Sequence, residues 1–138
     1  MAKITQQSIY IKLCRLRHLI KKMQYMMSKA DRVIYGTELN VEINDCIKDF
    51  VLAYEYREQR DHFIQQMIAD FAVLKVALEG INHEGLLREP NVKTHQASPS
   101  ELPASTDKMY LRVFEAIGSV DTDITKWRNS LRNKTGNA

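Results

Sequence analysis

The amino-acid sequence predicts an all-α protein, folded as an up-down four-helix bundle in a single domain. Apolar residues recur at steps of three and four in four separate stretches, which is the spacing of one buried helix face. Only 5 glycines and 3 prolines occur among the 138 residues, which favours helices over a turn-rich β architecture. Short connections between the early helices favour antiparallel neighbours, and a chain of this length suits one domain.

The first helix is expected over residues 5–30, and the other helices should cover its apolar face. That face is formed by residues at steps of four and three: Ile9, Leu13, Leu16, Ile20, Met23 and Met27. Residues 1–35 carry eight Lys or Arg against one acid, a balance of +7 by direct count. The faces turned away from the core are therefore basic, and they can hold an anion or pair with acids of another element.

The second helix is expected over residues 38–57, after a turn at Gly36 and an N-cap at Thr37. Beside its apolar face runs a stripe of acids at steps of four, three and four: Glu38, Glu42, Asp45 and Asp49. Like charges at this spacing repel one another unless cations lie opposite. The cations of the first helix, in the same subunit or in a neighbour, are the expected partners.

The third helix is expected over residues 61–80, where apolar residues again recur at threes and fours. Residues 55–61 contain neither Gly nor Pro, so one unbroken helix is the alternative, far longer than the usual length of about 11–12 residues. We place a tight turn at residues 57–61 instead, and we end the helix at Gly80. Residues 82–104 hold all 3 prolines, which predicts a long surface loop.

The fourth helix is expected over residues 105–131, where the apolar spacing continues from Tyr110 to Leu131. Gly118 lies inside it, and a glycine there costs about 1 kcal/mol relative to alanine. We therefore expect Gly118 to permit the close approach of another helix. Trp127 is in phase with the apolar face, which favours a core position over a stacking platform for a nucleic-acid base.

Residue patterns for catalysis or metal binding are absent from the sequence. A di-iron bundle needs Glu-x-x-His pairs, and none occurs. The 4 histidines are scattered, and Cys14 and Cys46 lack the paired spacing of zinc ligands. Both cysteines are expected to be buried free thiols of a reducing compartment. We therefore expect a protein that is not an enzyme, with no catalytic residues, no cofactor and no metal.

The functional signal that remains is the basic surface of the first and last helices. No apolar run approaches the ~20 residues of a membrane span and no signal-peptide pattern opens the chain, so a cytoplasmic protein without membrane contact is expected. Phosphate contacts by cations are electrostatic and largely independent of base sequence. The candidate nucleic-acid-binding residues are Lys12, Arg15, Lys22, Lys29, Lys126, Arg128 and Arg132.

Three segments of the sequence resemble a known family. They are Tyr35-Gly36-Thr37-Glu38-Leu39 after the basic first helix, and Val113-Phe114-Glu115-Ala116-Ile117-Gly118 and Ile124-Thr125-Lys126-Trp127-Arg128-Asn129-Ser130-Leu131 in the last one. Together they resemble the four-helix-bundle family that includes two kinds of member. One is the accessory variability protein of diversity-generating retroelements, and the other is the protein encoded in intervening sequences of large-subunit ribosomal RNA genes. The resemblance spans most of residues 4–131 apart from the loop at 82–104, which is longer than the family's usual connection.

The resemblance implies a homopentameric barrel of four-helix protomers that acts as a non-catalytic partner of a reverse transcriptase. It implies binding of template RNA and cDNA, with phosphate contacts at Lys12, Arg15, Lys22, Arg128 and Arg132. The net charge of +3 is modest beside the strongly basic retroelement partners. The alternative function is a homo-oligomeric protein–protein scaffold without nucleic-acid binding, in which cations of the first helix pair with the acid stripe of a neighbour.

Overall fold

Long helices make up nearly all of the chain that the structure describes. A computed structural model describes residues 7–89 and 105–136, without the side chains of residues 132–136. In chain order the α-helices are α1 (Ser8–Gln24), α2 (Lys29–Asp31), α3 (Thr37–Glu55), α4 (Arg60–Glu84) and α5 (Thr106–Gly136), of which α2 is a single turn. No strand occurs within these ranges, so the predicted all-α class is confirmed. Among the same residues, no helix combines the length and the apolarity that crossing a bilayer requires.

Neighbouring helices run antiparallel and close a bundle. Ser8, at the start of α1, hydrogen-bonds a carboxylate in the second half of α5. The end of α1 meets the start of α3, where the Gln24 amide donates to Asn40 at 2.7 Å. The start of α5 meets the end of α4, where the Tyr110 hydroxyl donates to the Ile81 carbonyl at 3.1 Å. This order of contacts is the up-down arrangement of a four-helix bundle.

The apolar face that the sequence predicted for each long helix fills the interior. The largest fully buried side chains are Phe71, Leu13, Leu16, Ile20, Met23, Leu39, Ile43, Ile64, Met67, Leu74, Leu78 and Met109. Burying a side chain of this size contributes about 1.5–3 kcal/mol. α1 packs against both α3 and α5, and α3 packs against both α1 and α4, so each of these two helices has two long neighbours in the core.

The first break in the chain comes at Tyr25, earlier than predicted. α1 ends at Gln24, and α2 begins at Lys29. The Ser28 hydroxyl accepts a hydrogen bond from the Asp31 N–H at 3.2 Å, which satisfies one of the unpaired N–H groups of a helix start. The predicted first helix is therefore too long at its C-terminal end, because Ser28 begins a new helix there.

Gly36 lies inside a helix, so the predicted turn is wrong. A π-helical stretch, Arg32–Gly36, joins α2 to α3. The Thr37 hydroxyl, at the start of α3, donates a hydrogen bond to the Val33 carbonyl of this stretch. The Gln24 side chain packs against Gly36, and a Cβ there would lie 2.7 Å from Gln24 Oε1. Gly36 therefore allows α1 to pack closely against the helix that leads into α3. α3 itself begins at Thr37, earlier in the chain than predicted.

α3 and α4 are separate helices, as the predicted tight turn requires. A 3-10 turn, Arg57–Gln59, joins them. The Arg60 guanidinium donates from Nε to the Ala53 carbonyl at 2.9 Å and from Nη2 to the Tyr54 carbonyl at 3.3 Å. Carbonyls in the last turn of a helix lack partners within the helix. Arg60 therefore caps α3 and fixes the turn, and the alternative of one unbroken helix is wrong.

Gly85 ends α4, in place of the predicted Gly80. Its φ of 64° lies in the left-handed region that favours glycine. The Gly85 N–H bonds the Asn82 carbonyl and the Leu86 N–H bonds the Ile81 carbonyl. This pair of bonds is the Schellman ending of a helix. The first residues of the predicted loop therefore belong to α4.

The chain after α4 folds back onto the break between α1 and α2. Leu87 is buried and forms an isolated bridge with Met27. The Arg88 N–H donates to the Met26 carbonyl at 2.7 Å. Residues 90–104 of the predicted loop lie outside the described residues.

Gly118 makes no close contact with another helix, which corrects the expectation for α5. A Cβ at this position would have no described neighbour within 4 Å. We expect Gly118→Ala to raise the free energy of unfolding by about 0.5–1 kcal/mol, because alanine loses less backbone entropy in a helix interior. Gly85→Ala is expected to lower it by about 1 kcal/mol, because its left-handed φ is costly for a residue with a Cβ. Thermal unfolding measures both changes, and a destabilised Gly118→Ala variant would contradict this reading of α5.

Candidate nucleic-acid interface

The outer surface of α1 is basic because this helix contains no acid. Its 17 residues include five Lys or Arg and neither Asp nor Glu. Arg15 and Lys21 are exposed and Lys22 is half-buried. Helical periodicity aligns Arg15 and Lys22 in one outward stripe, with Ile11 and Tyr25 at its ends, 41% and 44% exposed. The stripe combines positive charge with apolar and aromatic surface, a combination that suits a nucleic-acid backbone and its bases.

Lys12 forms an ion pair within the protomer. Its Nζ lies 3.0 Å from Asp123 Oδ2 on α5, and the Ser8 hydroxyl bonds the same oxygen. Burial opposes the ionisation of Asp123, but the bonds from Ser8 and Lys12 and the nearby positive charges outweigh it and lower the pKa of that carboxyl. Lys12, a predicted phosphate contact, therefore ties α1 to α5.

Amide side chains of α3 form contacts with α1. The Arg17 guanidinium donates to Asn44 Oδ1 at 3.2 Å. Gln24 is 8% exposed and its amide contacts the Asn40 amide. These contacts join α1 to α3 through the amide side chains of α3.

The remaining predicted contact residues do not share one surface. Lys29 is exposed in α2, beyond the C-terminal end of α1. Lys126 is exposed at the opposite end of the bundle, beside Ser8. Arg128 is half-buried between α5 and α4, and its Nε has no acceptor among the described residues. The side chain of Arg132 lies outside the described part. The predicted set is therefore divided between the α1 surface, the end of the bundle and the α4–α5 groove.

An acidic seam runs between α3 and α4, formed by Glu42, Asp45 and Asp49 of α3 and by Asp70 of α4. Asp49 is only 5% exposed, and no donor reaches its Oδ2 among the described residues. Burial, the hydrogen bond with Asp70 and the charge of Asp70 together raise the pKa of Asp49 to about 7. Burial and then the charges of Asp70 and Asp45 raise the pKa of Glu42. Asp70 carried no sequence signal, because only the packing of α4 on α3 brings it to this stripe.

The two cysteines are free, as the sequence predicted. Cys46 is buried, and burial followed by the charges of Asp70 and Asp49 raises the pKa of its thiol. A thiol held in its neutral form is a poor nucleophile. Cys14 is only half-buried on α1, so the predicted burial is wrong for this cysteine. No group of three or more His, Cys, Asp or Glu is arranged to hold a metal ion in the described ranges 7–89 and 105–136.

A cavity of about 430 Å³ lies at the end of the bundle where α1 begins and α3 ends. Aromatic side chains of Phe50, Tyr54 and Trp127 line it together with the cations Arg57, Arg60 and Lys126. Trp127 is half-buried and packs on Phe50, with ring centroids 5.3 Å apart. It therefore belongs to the edge of the core, as predicted, and also to a cavity wall. The sequence singled out only Trp127 and Lys126 here, since the cavity is formed by three segments that are distant in the chain, at residues 7–9, 50–60 and 123–127.

Comparison with known proteins gives no relative from which a role could be transferred. No protein-family model matches the sequence, and neither a curated protein nor a solved structure is significantly similar to it. Geometry and charge therefore carry the functional proposal, and the family resemblance remains an expectation.

Proposed function

We propose that the protein binds nucleic acid through the basic outer surface of α1 and catalyses no reaction. The observation that carries this proposal is the composition of α1, which has five cations and no acid, with Arg15 and Lys21 exposed. Cations that neutralise phosphates release condensed counterions, and this term supplies most of the sequence-independent affinity for nucleic acid. A surface of one sign also speeds the encounter with a polyanion.

The proposed contact set is narrower than the one predicted from the sequence. Lys12 leaves the set, because its side chain is held by Asp123. Arg15, Lys22 and Lys29 stay in the set as contacts that the sequence predicted. Lys126 is an additional contact at the end of the bundle, and Arg128 and Arg132 are retained as secondary ones. The sequence did not predict the ion pair of Lys12, because its partner, Asp123, lies on a helix more than a hundred residues away in the chain.

The family resemblance extends this proposal to a role and to partners. Under it, the protein is an accessory partner of a reverse transcriptase in the cytoplasm and binds template RNA or an RNA/DNA hybrid. It assembles as a homopentamer in the same proposal. A ring repeats the α1 surface around its axis, and contacts that are weak in one protomer add when several copies engage one strand.

Charge reversal on α1 and α2 tests the nucleic-acid proposal. We expect the triple variant Arg15→Glu, Lys22→Glu, Lys29→Glu to lose at least about tenfold in affinity for a structured RNA at low salt. Its plot of log affinity against log salt should be shallower than that of the wild type by about 2–3, near one for each phosphate contact removed. Fluorescence anisotropy of a labelled RNA measures both quantities.

The matched control reverses three exposed cations on other surfaces, Lys48→Glu, Lys108→Glu and Arg112→Glu. Both variants change the net charge equally, so a general loss of positive charge affects them alike. The proposal requires the control to retain most of the salt slope. Equal losses in the two variants, with both folded by circular dichroism, would show that the α1 surface has no special part in binding.

A second function is favoured by the acidic seam, namely a homo-oligomeric scaffold without nucleic-acid binding. Burial and then the charges of Asp70, Asp45 and Glu38 raise the pKa of Glu42, so the described surface around it is acidic. Val73 and Val76 are 49% and 69% exposed on α4, and they line a groove beside Glu38. An acidic and apolar surface of this kind fits the basic, partly apolar stripe of α1 in a second copy.

Compensating charge reversal tests the scaffold function. Arg15→Glu, Lys22→Glu should dissociate the oligomer, and Glu38→Lys, Glu42→Lys added to it should restore the assembly. Light scattering after size-exclusion chromatography gives the mass of each variant. The scaffold function is excluded if the acid-to-lysine changes fail to restore the mass of the wild-type assembly.

A further inference from the structure

The cavity at the end of the bundle has a volume typical of a small-ligand site. It measures about 430 Å³, within the range of about 300–1,000 Å³ for ligand pockets. Ser8, Arg57 and Lys126 on its lining are exposed, so the cavity reaches the surface of the protein. α1, α3, α5 and the turn between α3 and α4 all contribute to it, so the fold holds its walls in place.

One wall of the cavity is aromatic. Phe50 is buried at its base, and the rings of Tyr54 and Trp127 lie beside it with centroids 6.3 and 5.3 Å from that of Phe50. Tyr54 and Trp127 are half-buried, and both line the cavity. Stacking of a nucleic-acid base on such side chains contributes about 1–3 kcal/mol in single-strand-binding proteins. The wall therefore suits a planar ring.

The other wall of the cavity is cationic. Arg60 is held in place by its bonds to the Ala53 and Tyr54 carbonyls, so its guanidinium is ordered before a ligand arrives. Arg57 and Lys126 complete the set of cations on the lining. A fixed guanidinium and neighbouring cations are suited to a phosphate group.

Among the described residues that line this cavity, Asp123 is the carboxylate that opposes an anion. Its Oδ2 already accepts bonds from the Ser8 hydroxyl and from Lys12, and its charge is offset by Lys12 and Lys126. The described lining therefore carries three cationic side chains and one carboxylate.

We infer that this cavity binds one nucleotide, with the base against Tyr54 and Trp127 and the phosphate beside Arg57, Arg60 and Lys126. The inference rests on the proposed function and deepens it, because it assigns recognition of an unstacked nucleotide to a surface separate from the phosphate contacts of α1. The nucleotide is either a unit of a single strand or a free mononucleotide, since both present the same base and phosphate.

The single tryptophan of the chain makes a direct test possible. Because Trp127 is the only indole, intrinsic fluorescence excited at its red edge reports on the cavity wall alone. We expect AMP and UMP to quench this fluorescence saturably in the full-length protein. Adenosine and inorganic phosphate, each added alone, should bind at least about tenfold more weakly, because each engages one wall only.

Two variants connect the quenching to the cationic wall. Lys126→Gln alters an exposed side chain, and we expect it to weaken AMP binding by about tenfold. Lys108→Gln is the control, because Lys108 is exposed near the other end of α5, away from the cavity. Equal AMP affinity in Lys126→Gln and the wild type would overturn the assignment of the phosphate.

The sources of the nucleotide are distinguished by a single-stranded oligonucleotide. Quenching by the oligonucleotide at concentrations well below those of AMP identifies a strand, and quenching by AMP at equal or lower concentrations identifies a free mononucleotide. If neither ligand quenches Trp127 while a duplex RNA still binds by anisotropy, the cavity inference is overturned and the proposed function stands. If AMP quenches but no RNA binds by any measure, the proposed function fails and the cavity remains a mononucleotide site.

Discussion

Replacing Asp49 with asparagine is expected to stabilise the protein at neutral and alkaline pH. The wild-type carboxyl is 5% exposed and faces Asp70, so its ionised form is disfavoured. An asparagine amide can donate to the Asp70 carboxylate and carries no charge. We expect the free energy of unfolding to rise by about 1–3 kcal/mol at pH 8, the cost of keeping a buried polar group unsatisfied.

The sign of the pH dependence follows from the raised pKa of Asp49. The carboxyl titrates at about 7 in the folded protein and at about 3.9 in an unfolded chain. Between these values the folded protein holds more protons, so its stability falls as pH rises through the window. Lys48 opposes the shift, while Asp70 and Asp45 favour it. The wild type should therefore lose stability between about pH 4 and pH 7, and Asp49→Asn should lose much less.

Chemical denaturation at pH 5 and pH 8 measures this difference. Asp45→Asn is the control, because Asp45 belongs to the same stripe but is less buried. The control should leave most of the pH dependence in place. A wild-type protein whose stability is unchanged or rises between pH 5 and pH 8 would show that Asp49 ionises normally.

The second large effect on the free energy of unfolding is expected from a substitution in the core. Leu16 is fully buried in the middle of α1, where it faces the other long helices. Leu16→Ala should lower the free energy of unfolding by about 2–5 kcal/mol, the range for removing a buried leucine side chain and leaving a cavity.

Leu111→Ala is the matched control for the core prediction. It is the same substitution in α5 at a side chain that is 59% exposed, so the change should stay within about 0.5 kcal/mol. Denaturant midpoints of the two variants give the comparison directly. Similar losses at Leu16 and Leu111 would contradict the burial of the α1 apolar face in the core.

Local patterns predicted the helices, but they did not predict where each helix ends. The buried positions of α1 follow from spacing alone, because a helix repeats every few residues whatever surrounds it. A glycine is ambiguous in sequence, since it can start a turn, end a helix or admit a neighbour. Gly36 admits the Gln24 side chain, and Gly85, with its left-handed φ, ends the helix that was predicted to end at Gly80. Only tertiary contacts distinguish these roles.

The candidate sites were less predictable than the fold, because they depend on residues that are distant in sequence. The basic character of α1 is a local property and was predicted. The capture of Lys12 by Asp123 and the contact of Asp49 with Asp70 arise only when helices pack. The end cavity likewise needs the start of α1, the end of α3 and Trp127 in one place. The spacing of residues along the chain does not predict such contacts between distant segments.

Size-exclusion chromatography with light scattering, with and without a structured RNA, tests the central claim that α1 binds nucleic acid. At low salt we expect the wild-type protein to elute together with the RNA at a larger mass. At high salt the two should elute separately, because phosphate contacts weaken steeply with ionic strength. A protein that elutes alone at both salt concentrations, with the same mass as in the absence of RNA, would contradict the claim.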